Sequence, residues 1–109
     1  MGISTHVLDT ARGAPASGVE VLLSSAKDGG WVERGAGVTD ADGRCGKLLT
    51  EGAEEGVYRV RFETGAYFER RGEVCLYPHV EIVFAVRDTR HYHIPLLLTA
   101  NGYTTYRGS

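Results

Sequence analysis

The chain has 109 residues, of which 42% are hydrophobic and 24% are charged, a composition typical of a folded domain and not of a disordered segment. We expect a single domain over residues 1–109. The formal net charge of -2 gives no electrostatic reason to expect nucleic acid or an anionic membrane as a partner. The first residues lack a secretory signal and no apolar run approaches the roughly 18 residues of a membrane span, so we expect a cytoplasmic protein.

The first half of the chain is predicted to form three strands. Residues 3–10 (ISTHVLDT) alternate between two faces, which places Ser4 and His6 on the same side. The turn residues of ARGAPASG end this strand, and VEVLLSSA forms the second. KDGG at residues 27–30 is a hairpin signature that leads into the third strand, WVERGAGVT, and DADG at residues 40–43 turns the chain again.

The second half is predicted to form four more strands and one helix. VYRVRFE alternates apolar and charged side chains, as a half-buried strand does. TGAYFERRG predicts a short helix, with Thr64 as a possible N-cap and Gly72 at its end. HVEIVFAV and HYHIPLLLT predict core strands, and YTTYR predicts a short last strand. Seven or eight short strands with turns at this spacing predict an all-β fold, an antiparallel two-sheet sandwich with one short helix.

Two histidines of the segment HYHIP point to the same side of their predicted strand. Period-two alternation sends His91 and His93 away from the core face. One interpretation is an exposed strand face without a special role. Another is a zinc site, since neighbouring imidazoles can share a zinc ion, but no cysteine pair or carboxylate is close by in sequence.

The segment after the DADG turn carries an arginine and a cysteine. Two cysteines, Cys45 and Cys75, are too few for a disulfide framework, so we expect free thiols. A reactive Cys45 stays open, because the neighbouring Arg44 would lower its thiol pKa. The stretch also resembles a calcium loop, but Cys45 stands where that loop requires glycine and Arg44 occupies a ligand position. We therefore expect no metal and no other cofactor.

His6 and Arg44 are weak candidates when each is taken alone. A lone histidine on a strand is more often structural than catalytic, and an arginine after a hairpin is more often solvated. Their chemistry is nevertheless complementary. A cation beside neutral imidazoles disfavours protonation of the rings, so a histidine is kept as a usable base near pH 7. The same arginine can stabilise a developing oxyanion.

Four stretches of the sequence carry a family resemblance. STHVLDTARGAPASGV, TDADGR, GVYRVRFETGAYF and the terminal HYHIPLLLTANGYTTYRGS together resemble the 5-hydroxyisourate hydrolases, the transthyretin-like enzymes of urate degradation. The likeness runs from about Ile3 to Ser109. It implies a transthyretin-like sandwich assembled as a homotetramer, a dimer of dimers, with the active site in a channel between the dimers.

The resemblance also implies the roles of individual residues. His6, Arg44 and His93 match the family's catalytic positions, and His91 would have a supporting role. One of the two catalytic histidines would deprotonate a water molecule that attacks the six-ring carbonyl of 5-hydroxyisourate, and Arg44 would hold the substrate oxygens and the oxyanion. His6 and Arg44 would also bind substrate, and the C-terminal wall of the site would consist of Tyr106, Arg107, Gly108 and Ser109.

Two other classes of function remain open at this point. A transthyretin-like carrier for small aromatic ligands would use the same channel, but it would have no use for His6, Arg44 and His93 together. A purely structural sandwich domain would be expected inside a longer chain with a signal peptide. The residue pattern favours the hydrolase over both.

Overall fold

The computed structural model of the protein describes residues 2–49 and 53–108. These residues form nine strands and one helix. In chain order they are β1 (Ile3–Asp9), β2 (Ala14–Pro15), β3 (Glu20–Lys27), β4 (Gly30–Val38), β5 (Arg44–Leu49), β6 (Gly56–Phe62), α1 (Thr64–Arg70), β7 (Val80–Val86), β8 (Tyr92–Thr99) and β9 (Gly102–Thr105). This part of the chain contains no helix with the length and apolar character that crossing a membrane requires.

The strands form two sheets, which confirms the predicted sandwich. One sheet has the order β2-β1-β8-β9, with β5 also paired to β1, and the other has the order β4-β3-β6-β7. All pairings are antiparallel except one, since β1 and β8 run parallel. In that parallel pair Ser4 lies opposite His93 and His6 lies opposite Pro95.

Two of the strands are not predicted by the sequence pattern. β2 is a two-residue pairing inside the predicted turn ARGAPASG. β5 lacks clean alternation because its register with β1 shifts between Ile3 and Thr5 and because Gly46 contributes no side chain. A bulge of this kind breaks the period of two by which a strand is recognised.

The helix α1 ends as predicted, but its N-terminal cap differs. Glu63 and not Thr64 occupies the N-cap, and no side chain in the described part of the chain caps the helix. Thr64 is the first helical residue, and its buried hydroxyl has no hydrogen-bond partner among the described residues. The N-cap prediction is therefore wrong. At the other end Gly72 has a φ of +72°, and two backbone bonds form the Schellman motif that closes many helices.

The hydrophobic core lies between the two sheets. Alternation along β1 buries Ile3, Thr5 and Val7 against the opposite sheet, as predicted, and leaves Ser4 and His6 half-buried on the outer face. Each fully buried aliphatic side chain stabilises the fold by about 1.5–3 kcal/mol relative to its exposed state. The core face thus orients β1, and the outer face of the same strand is left to carry polar side chains.

Candidate active site

The turn between β4 and β5 is organised by one carboxylate. Asp40 Oδ1 accepts hydrogen bonds from the backbone N–H groups of Asp42 (2.9 Å) and Arg44 (3.0 Å), and the Asp40 carbonyl accepts one from Gly43 N–H (2.9 Å). Aspartate favours such turns because its side chain replaces a backbone acceptor. The turn delivers Arg44 to the start of β5, directly opposite His6 of β1.

Glycine is required at the third position of this turn after Asp40. Gly43 has a φ of +76°, and a Cβ there would lie 2.3 Å from the carbonyl oxygen of Val7. The Gly43 carbonyl accepts a 2.7 Å hydrogen bond from the Val7 N–H, which attaches the turn to β1. This close approach holds Arg44 and the Asp42 carbonyl beside His6.

His6 has one of its two ring nitrogens occupied. Its Nε2 lies 2.8 Å from the carbonyl oxygen of Asp42. A carbonyl oxygen only accepts, so Nε2 carries the hydrogen and the neutral ring has its lone pair on Nδ1. The ring of His6 lies 6.4 Å from that of His93, centroid to centroid, at an interplanar angle of 38°.

His93 and His91 meet at a single hydroxyl group. Ser4 Oγ lies 2.8 Å from His93 Nδ1 and 2.7 Å from His91 Nε2. These contacts agree with the prediction that both imidazoles project to one side of β8. His91 is exposed and His93 is half-buried, so the Ser4 hydroxyl lies between an imidazole in solvent and one inside the cleft.

The surroundings of His93 favour its neutral form. Partial burial lowers the pKa of His93 below the ordinary histidine value, and the Arg44 guanidinium lowers it further, with smaller effects from His6 and His91. Burial and neighbouring cations both disfavour the imidazolium ion. His93 is therefore available as a proton acceptor at neutral pH.

The segment after β9 runs back along β8 to the histidines. The Gly108 N–H donates a 2.8 Å hydrogen bond to the His93 carbonyl, and the two residues form a bridge. A Cβ on Gly108 would lie 2.4 Å from Cδ2 of the His93 ring, so only glycine leaves the ring its present position. The Arg107 guanidinium lies over the Tyr92 ring, 4.1 Å from its centroid, which holds this segment against β8.

These elements form one open cleft with a volume of about 410 Å³, within the size range of small-molecule sites. Its lining includes Ser4, Thr5, Arg44, Gly46, His91, His93, Tyr106 and Gly108. His6 stands beside the cleft through its contact with the His93 ring. Of the residues predicted for the site, Ser109 lies outside the described residues, and Tyr106 is 54% exposed.

The cysteine and metal alternatives gain no support from the geometry. Cys45 and Cys75 are both free, as predicted, and Cys45 is buried. Burial raises the thiol pKa of Cys45, and the nearby Asp40 carboxylate raises it further, which is the opposite of an activated thiol. Across residues 2–49 and 53–108, no group of three histidine, cysteine, aspartate or glutamate side chains is placed to hold a metal ion.

The residue pattern did not single out two groups that shape this site, the Ser4 hydroxyl and the Asp42 carbonyl. Strand alternation places Ser4 on the same face as His6, so the sequence predicts which way the Ser4 side chain points. The sequence does not predict the pairing of β1 with β8, which brings Ser4 to His93, a residue 89 positions away. Asp42 contributes a backbone atom, for which the side-chain pattern carries no signal.

Comparisons with known proteins agree with this architecture. The chain matches the HIUase/Transthyretin family over residues 3–108. It is 48% identical to the 5-hydroxyisourate hydrolase of Salmonella dublin over 109 residues, which cover 98% of this chain and 80% of the relative.

Two solved structures superpose closely on the fold. The 5-hydroxyisourate hydrolase of Klebsiella pneumoniae has a TM-score of 0.89 at 36% identity and covers 99% of this chain and 98% of its own. Sea bream transthyretin in complex with thyroxine has a TM-score of 0.92 at 38% identity and covers 97% of this chain and 93% of its own. This chain therefore belongs to the HIUase/transthyretin family.

Proposed function

We propose that this chain hydrolyses 5-hydroxyisourate to 2-oxo-4-hydroxy-4-carboxy-5-ureidoimidazoline in urate degradation, in the cytoplasm and without a metal or other cofactor. Relatives that bear the name 5-hydroxyisourate hydrolase and match most of this chain support the reaction. The observation that carries the proposal is the cluster of His6, Arg44 and His93 beside the first half of β1. Two imidazoles beside one guanidinium suit the activation of water and the stabilisation of an oxyanion.

His93 is proposed as the base that activates water. Its Nδ1 is occupied by Ser4, so Nε2 is the ring nitrogen left for a water molecule in the cleft. The lowered pKa of His93 keeps the ring in the form that can accept a proton. His6 is fixed as the tautomer with hydrogen on Nε2, and its Nδ1 is left to accept a hydrogen bond from substrate or water.

Arg44 is proposed to stabilise the charge that develops on the substrate. Attack of the water oxygen on the six-ring carbonyl forms a C–O bond and moves the carbonyl π electrons onto oxygen. The guanidinium, opposite His6 in the strand register, supplies a permanent positive charge and fixed N–H donors for that oxyanion. Stabilisation of this kind contributes on the order of 10²–10³ to the rate.

Collapse of the intermediate opens the ring. The C–N bond breaks, the leaving nitrogen takes the proton that His93 received from water, and a carboxylic acid remains. A carboxylic acid of ordinary pKa ionises near pH 7. Each turnover therefore produces a ureido group, a carboxylate and one proton that must leave the site.

Tyr106 and Ser109 are proposed to bind the substrate by hydrogen bonds. Support for Tyr106 is its position in the lining of the same cleft as Arg44 and His93. The bridge between Gly108 and His93 ties this terminal segment to the catalytic strand. The contribution of Ser109 follows from the family resemblance.

A homotetramer, a dimer of dimers, is proposed as the active form. In the part of the chain that the structure describes, β7 and β9 each pair on one side only, so their free edges are available to another copy. Val83 of β7 and Tyr103 of β9 are large apolar side chains exposed near these edges. Arg44 is also exposed, and a facing copy would exclude water from the cleft and strengthen its electrostatic action.

The ultraviolet absorbance of 5-hydroxyisourate, freshly made from urate by urate oxidase, tests the proposal. We expect chelator-treated protein to accelerate the decay of this absorbance and His93→Asn to remove most of the acceleration. His79→Asn is the matched control, because His79 lies next to β7, near Glu81 on the other sheet. A folded tetramer that leaves the spontaneous decay unchanged would overturn the proposal.

A small-ligand carrier is the second candidate, supported by the close superposition of sea bream transthyretin. A carrier needs a channel of the right shape but no general base. Binding of a small aromatic ligand without any change in the 5-hydroxyisourate decay, in the wild type and in Arg44→Ala alike, would make the carrier the leading account.

A further inference from the structure

The Ser4 hydroxyl contacts two imidazole nitrogens that have no other partner among the described residues. The distances are 2.8 Å to His93 Nδ1 and 2.7 Å to His91 Nε2. A serine hydroxyl has a single hydrogen to donate and lone pairs with which to accept. Ser4 can therefore donate to only one of the two rings, so at least one of the two bridged nitrogens carries hydrogen. When the hydroxyl hydrogen lies between the rings, Ser4 donates to one ring and accepts from the other.

This arrangement links the tautomers of the two histidines. When His93 has its lone pair on Nε2, its Nδ1–H donates to Ser4, and the Ser4 hydroxyl donates to His91 Nε2. His6 has no such freedom, because its Nε2 faces a backbone carbonyl that can only accept. The two imidazoles beside Arg44 thus differ in one respect. His93 contacts a hydroxyl that can both accept and donate a proton, whereas His6 contacts a carbonyl that can only accept one.

We propose that Ser4 and His91 form a proton relay that carries the product proton from His93 to solvent. The inference rests on the proposed hydrolysis, in which each turnover leaves one proton in the cleft. His93 is half-buried and His91 is exposed, so the chain of two short hydrogen bonds leads outward. Such connected hydrogen bonds polarise one another and suit proton transfer.

The proton transfers balance along this chain. After the ring has opened, the product carboxylic acid loses its proton to His93 Nε2, and His93 becomes a cation with hydrogen on both nitrogens. The Nδ1–H bond then breaks as its proton moves to Ser4 Oγ, while the Ser4 hydroxyl proton moves to His91 Nε2. His93 is neutral again, Ser4 is still a neutral hydroxyl, and the His91 cation releases its Nδ1 proton to water. Once the product has left and water fills the cleft, the reverse transfer restores the starting tautomers: His91 Nδ1 takes a proton from water, the two inner protons move back through Ser4, and His93 Nε2 releases its proton to the water in the cleft.

The charges around His93 favour movement of the proton outward. Arg44, His6 and His91 are the titratable or charged groups that act on His93, and the Arg44 cation is the strongest of them. A cation beside His93 makes the imidazolium unfavourable there. His91 is exposed to water, which stabilises the charge that the relay delivers.

Buffer-dependent kinetics test the relay. In weakly buffered solution we expect His91→Ala and Ser4→Ala each to lower kcat at least about tenfold with little change in KM, because the proton loses its route to water. Added imidazole should restore most of the kcat of His91→Ala, since a free imidazole can replace the missing side chain. It should not restore Ser4→Ala, in which the connection to His93 is broken. His79→Ala is the matched control and should match the wild type.

Several outcomes would overturn the relay. A His91→Ala enzyme with wild-type kcat in weak buffer would mean that the proton leaves by another route. Loss of activity in Ser4→Ala alone would mean that the hydroxyl only holds the His93 ring in place. A wild-type protein without hydrolase activity would instead count against the proposed function.

A second measurement needs no substrate. The nitrogen-15 chemical shifts of histidine rings report which nitrogen carries hydrogen. In the neutral wild-type protein we expect complementary protonation of His93 Nδ1 and His91 Nε2, and we expect Ser4→Ala to remove that complementarity. Identical ring shifts in the wild type and Ser4→Ala would contradict the coupling whatever the protein's activity.

Discussion

Two polar clusters lie on β1, one along its first half and one at its last residue, and they differ in how completely their atoms are hydrogen-bonded. The tyrosine cluster consists of Asp9, Arg12 and Tyr67 at the end of the strand. The buried Asp9 carboxylate accepts a 2.9 Å hydrogen bond from the Tyr67 hydroxyl and a 3.2 Å hydrogen bond from the backbone N–H of Arg12. Burial, and then the hydrogen bond to Asp9, raises the pKa of Tyr67, so its proton stays on the hydroxyl.

The active-site cluster, consisting of Ser4, His6, Arg44 and His93, is open by comparison. Among the described residues, neither His6 Nδ1 nor His93 Nε2 has a hydrogen-bond partner. A closed polar network inside a protein stabilises one structure, whereas ring nitrogens left free in a cleft are available to a ligand. Removal of a group from the first cluster should therefore cost stability, and removal of a group from the second should cost activity.

Arg44→Ala should show the difference between the two clusters most clearly, because we expect it to reduce activity and leave stability unchanged. We expect kcat/KM to fall about 10²–10³-fold, because the cation proposed to stabilise the oxyanion is lost. The thermal unfolding midpoint should change little, since Arg44 is exposed. Arg34→Ala on β4, also exposed, is the control and should leave both quantities unchanged. An Arg44→Ala enzyme with near wild-type kcat/KM would remove Arg44 from the mechanism.

Gly108→Ala should act on the active-site cluster through geometry. The added Cβ would lie 2.4 Å from the His93 ring, so the ring or the terminal segment must move. Misplacement of a catalytic group by about 1 Å can cost as much as 10²-fold in rate, and we expect a loss of kcat on that order.

Gly102→Ala is the matched control for this change. Its Cβ would have only an ordinary contact of 3.7 Å with the Thr99 hydroxyl. Equal kcat values for the Gly108→Ala and Gly102→Ala enzymes would show that the close packing of Gly108 on His93 has no catalytic consequence.

Tyr67→Phe should act on stability alone. It leaves the Asp9 carboxylate without one of its two partners, and an unsatisfied buried acceptor costs about 1–3 kcal/mol. Denaturant unfolding measures that cost, and kcat/KM should match the wild type. Tyr77→Phe is the control, because the Tyr77 hydroxyl has no hydrogen-bond partner among the described residues. A large loss of activity in folded Tyr67→Phe would mean that the two clusters are coupled along β1.

The smallest expected effect is on the pH dependence of activity. In the proposed mechanism the base form of His93 is the active one, and its pKa is lowered from the ordinary value of 6.5. As the pH falls, kcat/KM should therefore stay near its maximum until the pH is below 6.5, and only then decline. A pH profile of kcat/KM measures the midpoint of the acid limb. A midpoint at or above the ordinary histidine value would contradict the assignment of His93 as the base.

Much of the fold follows from local pattern. The apolar and polar alternation of β1, β6 and β8 and the turn residues between them are sufficient to predict a two-sheet sandwich with a short helix. β5 escapes prediction because a bulge and Gly46 disturb its alternation. Thr64 is mistaken for an N-cap because threonine suits that position, yet its side chain is buried instead.

The candidate site is only partly predictable, because some of its contacts join strands that are distant in sequence. Alternation places His91 and His93 on one face, and the family resemblance points to His6 and Arg44. The hydroxyl of Ser4 and the carbonyl of Asp42 gain their roles from contacts across strands. No spacing within one strand indicates that a serine near the start of the chain will lie between two histidines near its end.

The sequence alone indicates which side chains share a face, because successive residues of a strand point to opposite sides. It also indicates where the chain turns, because glycine, proline and aspartate restrict the backbone locally. Which faces meet depends on how the strands pair in the folded chain. The parallel register of β1 and β8 sets Ser4 opposite His93, and the antiparallel register of β1 and β5 sets His6 opposite Arg44. Register depends on the packing of the whole core, which no short stretch of sequence encodes.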